Sequence, residues 1–220
     1  MGSDDLFHKR KAKAKTARDL ARKSGNREAR ERVLIVCEGE KTEPYYLMEI
    51  RESLGLTNAD IVICGKECGS DPLSIVDYAL GRFKEDSGYD NVFCVFDKDS
   101  HATYKTAVDK IERKPGKRWC TIKSVPCFEF WVLLHFKETT KPFSGAGGLS
   151  PCDRILIEVR REFGEYHKGY RGLYKLVGDQ TDKAISNAKA TLNEAQKAGT
   201  DNPSTEMHIL VEYLRDLKAQ

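Results

Sequence analysis

Four short apolar runs, each followed by a segment with helical patterning, constrain the fold of this 220-residue chain most strongly. Runs rich in β-branched and aromatic residues are typical of strands that are buried on both faces of a parallel sheet. The runs are RVLIVC at 32–37, ADIVICG at 59–65, DNVFCVFD at 90–97 and RWCTIKSV at 118–125. Their alternation with helical segments predicts an α/β fold, with a parallel sheet of about four strands flanked by helices.

Helix start signals support this alternation. Thr42 can cap a helix that runs from about residue 43 to residue 54. Asp71 can cap the next helix, because Pro72 fits its first position. Further helices are predicted at 101–114, 126–136, 151–163, 181–198 and 202–217.

These patterns predict four parts along the chain. Residues 1–31 form a basic helical N-terminal arm, and residues 32–136 form the α/β domain. Residues 137–151 form a linker loop, and residues 152–220 form a mainly helical C-terminal extension. The linker contains GAGG, but no strand precedes it and no Lys-Ser or Lys-Thr pair follows, so a flexible linker is favoured over a phosphate-binding loop.

Composition narrows the class of protein. Hydrophobic residues make up 40% of the chain and charged residues 32%, which is typical of a soluble globular protein. No apolar run approaches the ~20 residues that a membrane span needs, and the basic N-terminus lacks the apolar stretch of a secretory signal. The seven cysteines contain no C-x-x-C pair, which fits reduced thiols. We therefore expect a cytoplasmic protein that does not enter the membrane.

The charge is unevenly distributed. Residues 1–32 carry 11 Lys and Arg against 5 Asp and Glu, whereas the rest of the chain is slightly acidic. Two interpretations stay open for this segment: a solvated, partly frayed helix, or an arm that contacts the phosphates of a nucleic acid. The candidate nucleic-acid-binding residues are Lys9, Arg10, Lys11, Lys13, Lys15, Arg18, Arg22 and Lys23.

Carboxylates follow two of the predicted strands. Glu38 comes directly after the first strand, with Glu43 shortly beyond it, and Asp97 and Asp99 follow the third. In an open parallel sheet, functional groups gather beyond the carboxyl ends of the strands. Mutual repulsion and desolvation would make such a cluster costly without a cation. Because its ligands are all oxygens, the predicted site favours Mg²⁺ or Mn²⁺.

Other candidates are more ambiguous. Glu129, in PCFEFWVLLHF, is either an extra carboxylate at the metal or a Glu at a helix start that the free N–H groups and the helix dipole stabilise. Lys41, Lys98 and Lys123 are candidates to neutralise phosphate charge in a transition state, although an ordinary surface Lys is favoured for any single one of them.

Two segments carry a resemblance to a known domain. VLIVCEGEKTEPYY and VFCVFDKDS resemble a Toprim domain, which places one Glu after its first strand and D-x-D after its third. Glu38 matches that Glu, and Asp97 and Asp99 match the D-x-D. Together with SVPCFEFWVLLHF and NPSTEMHILVEYL, they resemble the RloB-like family, small Toprim-type proteins of restriction-linked and abortive-infection loci in bacteria. The resemblance covers residues 32–217.

The resemblance implies metal-dependent phosphodiester chemistry. The chain lacks the tyrosine-bearing domains of topoisomerases and the zinc-binding module of primases. A nuclease is therefore the remaining natural hypothesis. Glu38 would act as general base or acid, or as a metal ligand, while Asp97 and Asp99 would hold Mg²⁺. Family members are also associated with an ATPase partner of the ABC or SMC-like type, which implies the effector of an anti-phage defence or abortive-infection system.

Other functions stay open at this point. A D-x-D also occurs in haloacid-dehalogenase phosphatases, but there it follows the first strand. A catalytically latent module that binds nucleic acid or a partner protein is the main alternative. The sequence leaves open whether the substrate is DNA or RNA, including tRNA. It also leaves open a homo-oligomer, since the apolar stripe of the last predicted helix could serve a dimer or a core.

Overall fold

The computed structural model describes residues 31–56, 60–116 and 118–219 of the chain. Their strands form one sheet in the order β2–β1–β3–β4–β5, in which the first four strands are parallel and β5 runs antiparallel to β4. The strands are β1 (Arg32–Cys37), β2 (Asp60–Cys64), β3 (Asn91–Asp97), β4 (Trp119–Val125) and β5 (Ser204–Thr205). The predicted α/β class with a mainly helical C-terminal region is confirmed. The sequence does not predict β5, because its two residues are polar and form no apolar run.

Helices follow each parallel strand and make up most of the C-terminal region. They are α1 (Thr42–Ser53), α2 (Pro72–Glu85), α3 (Tyr104–Glu112), α4 (Glu129–Phe136), α5 (Pro151–Glu162), α6 (Leu173–Val177), α7 (Thr181–Lys197) and α8 (Met207–Ala219). Helix α2 begins as predicted, since the Asp71 carboxylate accepts the N–H groups of Leu73 and Ser74. The predicted Thr42 cap is wrong: Thr42 is the first residue of α1, and its hydroxyl accepts the N–H of Gly169 instead.

The sheet separates two hydrophobic clusters. One face contributes Val33, Ile35 and Val95 to a cluster that also contains buried residues of α1 and of α4 to α8. The opposite face contributes Leu34, Val36, Cys94 and others to a cluster with α2 and α3. Successive strand residues point to opposite faces, so burial on both faces explains the continuous apolar runs. The apolar stripe of α8 is buried in the first cluster, and Glu31–Gln220 forms one compact unit.

A buried polar network joins α1 to α4. The Tyr46 hydroxyl accepts the indole N–H of Trp131 at 2.8 Å and lies 3.4 Å from His135 Nε2. His135 Nδ1 lies 3.0 Å from the Trp131 carbonyl oxygen, which can only accept, so Nδ1 carries the proton and Nε2 accepts from Tyr46. Burial lowers the pKa of His135 to about 4. The network fixes the two helices whose first turns carry Glu43 and Glu129.

Within the described residues, no helix combines the length and the apolarity that crossing a bilayer requires.

Candidate functional site

The strand order places the ends of β1 and β3 side by side in the middle of the sheet. The two strands are parallel neighbours, and the N–H of Glu38 continues their ladder with a 2.9 Å bond to the carbonyl of Val95. The N–H of Asp97 donates to Glu38 Oε2 at 3.0 Å. The structure therefore brings together the acidic residues that follow the first and third strands, as the topology argument predicts.

Two further carboxylates reach the same place from helix starts. Glu43 lies in the first turn of α1 and Glu129 is the first residue of α4. Glu43 is only 9% exposed and Glu129 only 1% exposed. Glu38, Glu43, Asp97 and Glu129 form what we call the carboxylate centre. Both interpretations of Glu129 fit this position, since it lies at a helix start and its charge also acts on Asp97.

The pKa values of Asp97, Glu43 and Glu38 are raised. Burial, and then the charges of Glu43 and Glu129, hold the pKa of Asp97 well above its ordinary value. Burial, and then the charge of Glu129, raise the pKa of Glu43 to about 8. Burial raises the pKa of Glu38 as well, although the N–H of Asp97 and the nearby His101 oppose the rise. Asp97, Glu43 and Glu38 thus resist ionisation first because they are buried and then because neighbouring acids repel a further negative charge.

Asp99 occupies a different position from Asp97. The chain leaves β3 at Asp97, and Asp99 has a left-handed backbone conformation with φ of +31°. Its N–H donates to the carbonyl of Pro126 at 3.1 Å, and the residue is exposed. The Asp99 charge is still near enough to Glu38 to raise the pKa of that carboxyl. The two acids of the D-x-D therefore do not share one environment.

Three neighbours of the carboxylate centre were not found from the sequence. His101 Nε2 lies 3.4 Å from Glu38 Oε1, and Lys168 Nζ lies 3.6 Å from Glu129 Oε2. The Tyr166 hydroxyl lies 3.5 Å from Glu129 Oε1. Tyr166 and Lys168 belong to the segment between α5 and α6, where the sequence shows only a mixture of basic and aromatic residues.

The oxygen atoms of the carboxylate centre are of the ligand type that suits a hard divalent cation. Glu129 Oε2 is buried and has no hydrogen-bond partner among the described residues, which is unusual for a carboxylate oxygen. Carboxylate oxygens without other ligand types are what Mg²⁺ and Mn²⁺ prefer. In the described segments, however, no three His, Cys, Asp or Glu side chains are grouped tightly enough to hold a metal ion. A cation would need these side chains to draw closer together.

The predicted lysines lie in different places. Lys98 Nζ forms an ion pair with Asp201 at 2.5 Å, and Lys123 Nζ forms one with Glu206 at 3.1 Å. Lys41 is exposed just before α1 and lines a surface pocket together with Lys168. The basic residues predicted for nucleic-acid binding in the N-terminal arm, from Lys9 to Lys23, lie outside the described residues.

Comparison with known proteins identifies one family. A protein-family model described as RloB-like protein matches residues 33–214, which is most of the chain. Neither a curated protein nor a solved structure matches the sequence.

Proposed function

Because the chain belongs to the RloB-like family, we propose that it is a divalent-metal-dependent nuclease acting as the effector of a bacterial anti-phage defence system. Family membership indicates a restriction-linked or defence-associated protein. The step from that class to phosphodiester cleavage rests on one observation. The N–H of Asp97 donates to Glu38 at the carboxyl ends of two adjacent central strands, and Glu43 and Glu129, at helix starts, are near enough for their charges to raise the pKa of Asp97.

The arrangement of acids also supports a Toprim-type assignment of the sheet. One Glu follows β1 and an Asp-x-Asp follows the adjacent β3, which is the order in which a Toprim domain carries its acids. Glu38, Asp97 and Glu129 would hold Mg²⁺ or Mn²⁺, and Asp99 would complete the set from the solvent side. When bound, the ion would polarise the scissile phosphate and lower the pKa of a coordinated water.

The protein's own groups orient these ligands. The N–H of Asp97 and the ring of His101 hold the two oxygens of Glu38, so its carboxylate plane is fixed. The ammonium of Lys168 lies beside Glu129 and offsets part of the negative charge of the carboxylate centre. Fixed second partners of this kind keep a ligand carboxylate in one orientation.

Metal binding by calorimetry tests the site without knowledge of the substrate. Mn²⁺ and Mg²⁺ are titrated into the wild type, Asp97→Asn, Glu38→Gln and the control Glu40→Gln, which changes an exposed acid of the same loop. We expect the wild type and the control to bind and the two site variants to lose the heat while circular dichroism shows them folded. Equal binding by all four proteins would refute a cation site at the carboxylate centre.

Cleavage is tested separately with single- and double-stranded DNA and with RNA, including tRNA. We propose that an ATPase partner of the ABC or SMC-like type controls the nuclease, so the isolated chain should cleave weakly or not at all with Mg²⁺ or Mn²⁺. Vigorous cleavage by the isolated chain would overturn control by a partner. Nucleic-acid binding that stays without cleavage, even with the partner ATPase and ATP present, would favour the catalytically latent module.

The seven free thiols among the described residues also support a cytoplasmic location, where cysteines stay reduced.

A further inference from the structure

An open pocket of about 560 Å³ lies beside the carboxylate centre. It is formed by the start of α1 and by the segment 167–171, HKGYR, and we call it the basic–aromatic pocket. Its lining residues are Lys41, Tyr45, His167, Lys168, Gly169, Tyr170 and Arg171.

The pocket combines positive charge with aromatic rings. Lys41, Lys168 and Arg171 supply the charge, and none of the described residues that line the pocket is an acid. A positively charged groove with aromatic rings is the combination that binds single-stranded nucleic acids, because cations contact the phosphates and rings stack on the bases. A ligand with phosphates alone would not need the rings.

The rings lie where a ligand can reach them. Tyr45 and Tyr170 are half-buried and His167 is exposed. The Arg171 guanidinium lies 4.1 Å from the centroid of the Tyr45 ring, and the His167 and Tyr170 rings lie 5.5 Å apart at 66°. Arginine stacked on an aromatic ring keeps its charge while its own position is restrained. The pocket therefore offers flat surfaces with defined orientations.

Backbone contacts to α1 hold the segment in place. The N–H of Gly169 donates to the Thr42 hydroxyl at 2.9 Å. The N–H groups of Gly172 and Tyr174 donate to the two carboxylate oxygens of Glu49 at 2.5 and 2.8 Å. Gly169 also has φ of +78°, and a Cβ there would lie 3.0 Å from Cβ of Lys41. These contacts pre-organise the pocket, which lowers the entropy lost on binding.

Lys168 connects the pocket to the carboxylate centre. It lines the pocket, and its ammonium lies 3.6 Å from Glu129 Oε2. A strand whose phosphates contact Lys168 would therefore have its backbone next to the carboxylates.

We infer that the basic–aromatic pocket binds single-stranded RNA or DNA. Bases stack on Tyr45, His167 and Tyr170, while Lys41 and Arg171 contact the backbone phosphates. In a duplex the faces of the bases are already stacked on one another, so the rings favour a single strand. Presentation of the bound backbone to the carboxylate centre rests on the proposed nuclease function, whereas binding itself does not.

Fluorescence anisotropy of the full chain with labelled oligonucleotides tests the inference. The measurement uses single-stranded RNA, single-stranded DNA and the corresponding duplex, with EDTA present so that no cleavage occurs. We expect both single strands to bind more tightly than the duplex. Tyr170→Ala should weaken single-strand binding about tenfold, because one stacking surface is lost. Tyr170→Phe keeps the ring and should bind as the wild type does.

Charge variants complete the design. Arg171→Gln should weaken binding and reduce its salt dependence, since a phosphate contact is lost. Lys105→Gln is the matched control, because Lys105 is exposed on α3, a helix that packs on the opposite face of the sheet. Unchanged binding by both Tyr170→Ala and Arg171→Gln would overturn the inference, as would displacement of the oligonucleotide by polyglutamate of equal charge as readily as by unlabelled strand. Pocket-dependent binding with no Mg²⁺-dependent cleavage, even when the partner ATPase and ATP are added, would support the pocket and count against the nuclease.

Discussion

Replacing Glu43 by Gln should stabilise the protein in neutral and alkaline solution. Burial and the nearby Glu129 raise the pKa of Glu43 from its ordinary 4.5 to about 8 in the folded protein. Between these two values the folded state binds more protons than the unfolded state, so the free energy of unfolding falls as pH rises. Gln has nearly the same shape but no charge, and this part of the pH dependence should disappear.

The magnitude follows from the two pKa values. Each pH unit between the ordinary and the raised pKa corresponds to about 1.4 kcal/mol of stability. About two such units lie between pH 6 and the raised pKa of about 8. Ionisation of Glu43 should therefore remove about 3 kcal/mol of stability between pH 6 and pH 9. The full effect of the substitution should be somewhat larger, because the Glu43 charge also raises the pKa of Asp97.

Urea denaturation at several pH values between 6 and 9 measures the effect. Wild type should lose stability over this interval, Glu43→Gln should lose much less, and the exposed Glu40→Gln should follow the wild type. Added Mg²⁺ or Mn²⁺ at pH 8 should bring wild type closer to Glu43→Gln, because a bound cation offsets the repulsion. If the free energies of unfolding of wild type and Glu43→Gln changed in parallel between pH 6 and pH 9, the pKa of Glu43 would not be raised in the folded protein.

Three further outcomes are expected. The free energy of unfolding should also fall by about 3 kcal/mol as pH drops from about 6.5 to about 4, because the pKa of buried His135 is lowered from 6.5 to about 4; denaturation of His135→Gln should lack this loss. Gly65→Ala would place a Cβ 2.5 Å from the carbonyl oxygen of Gly39, in the loop after β1. It should therefore lower the melting temperature through a loss of ~1–3 kcal/mol, and weaken Mn²⁺ binding. The control Gly81→Ala lies in open space on α2 and should not destabilise the protein. Tyr46→Phe removes the acceptor for a buried indole N–H and should lower the free energy of unfolding measured in urea by about 1–3 kcal/mol; an unchanged value would mean that water reaches that N–H.

The sequence was sufficient to predict the convergence of Glu38 and Asp97. Both residues directly follow buried parallel strands, and the rule that such ends share one edge of the sheet needs no knowledge of side-chain packing. The sequence does not determine whether the two strands are adjacent, and the structure shows that they are neighbours.

The positions of Asp99 and Lys168 could not be predicted in this way. Asp99 lies in the turn after β3 and itself has a positive φ, so the alternation of side chains along a strand no longer applies to it. Lys168 reaches Glu129 from a loop between two helices, and its place depends on how the C-terminal helices pack on the sheet. Strand β5 was missed for a similar reason, since its two residues pair with β4 only through tertiary structure.

The bond between Gly169 and Thr42 has a consequence for how the protein is made. It joins residues 127 positions apart, so the walls of the basic–aromatic pocket come from early and late parts of the chain. Contacts between distant residues form slowly during folding, and a ribosome delivers the N-terminal partner first. A partly synthesised chain would carry Glu38 and Asp97 without Lys168 or the pocket. The proposed nuclease would therefore become competent only late in translation, which limits damage to nucleic acids by incomplete copies.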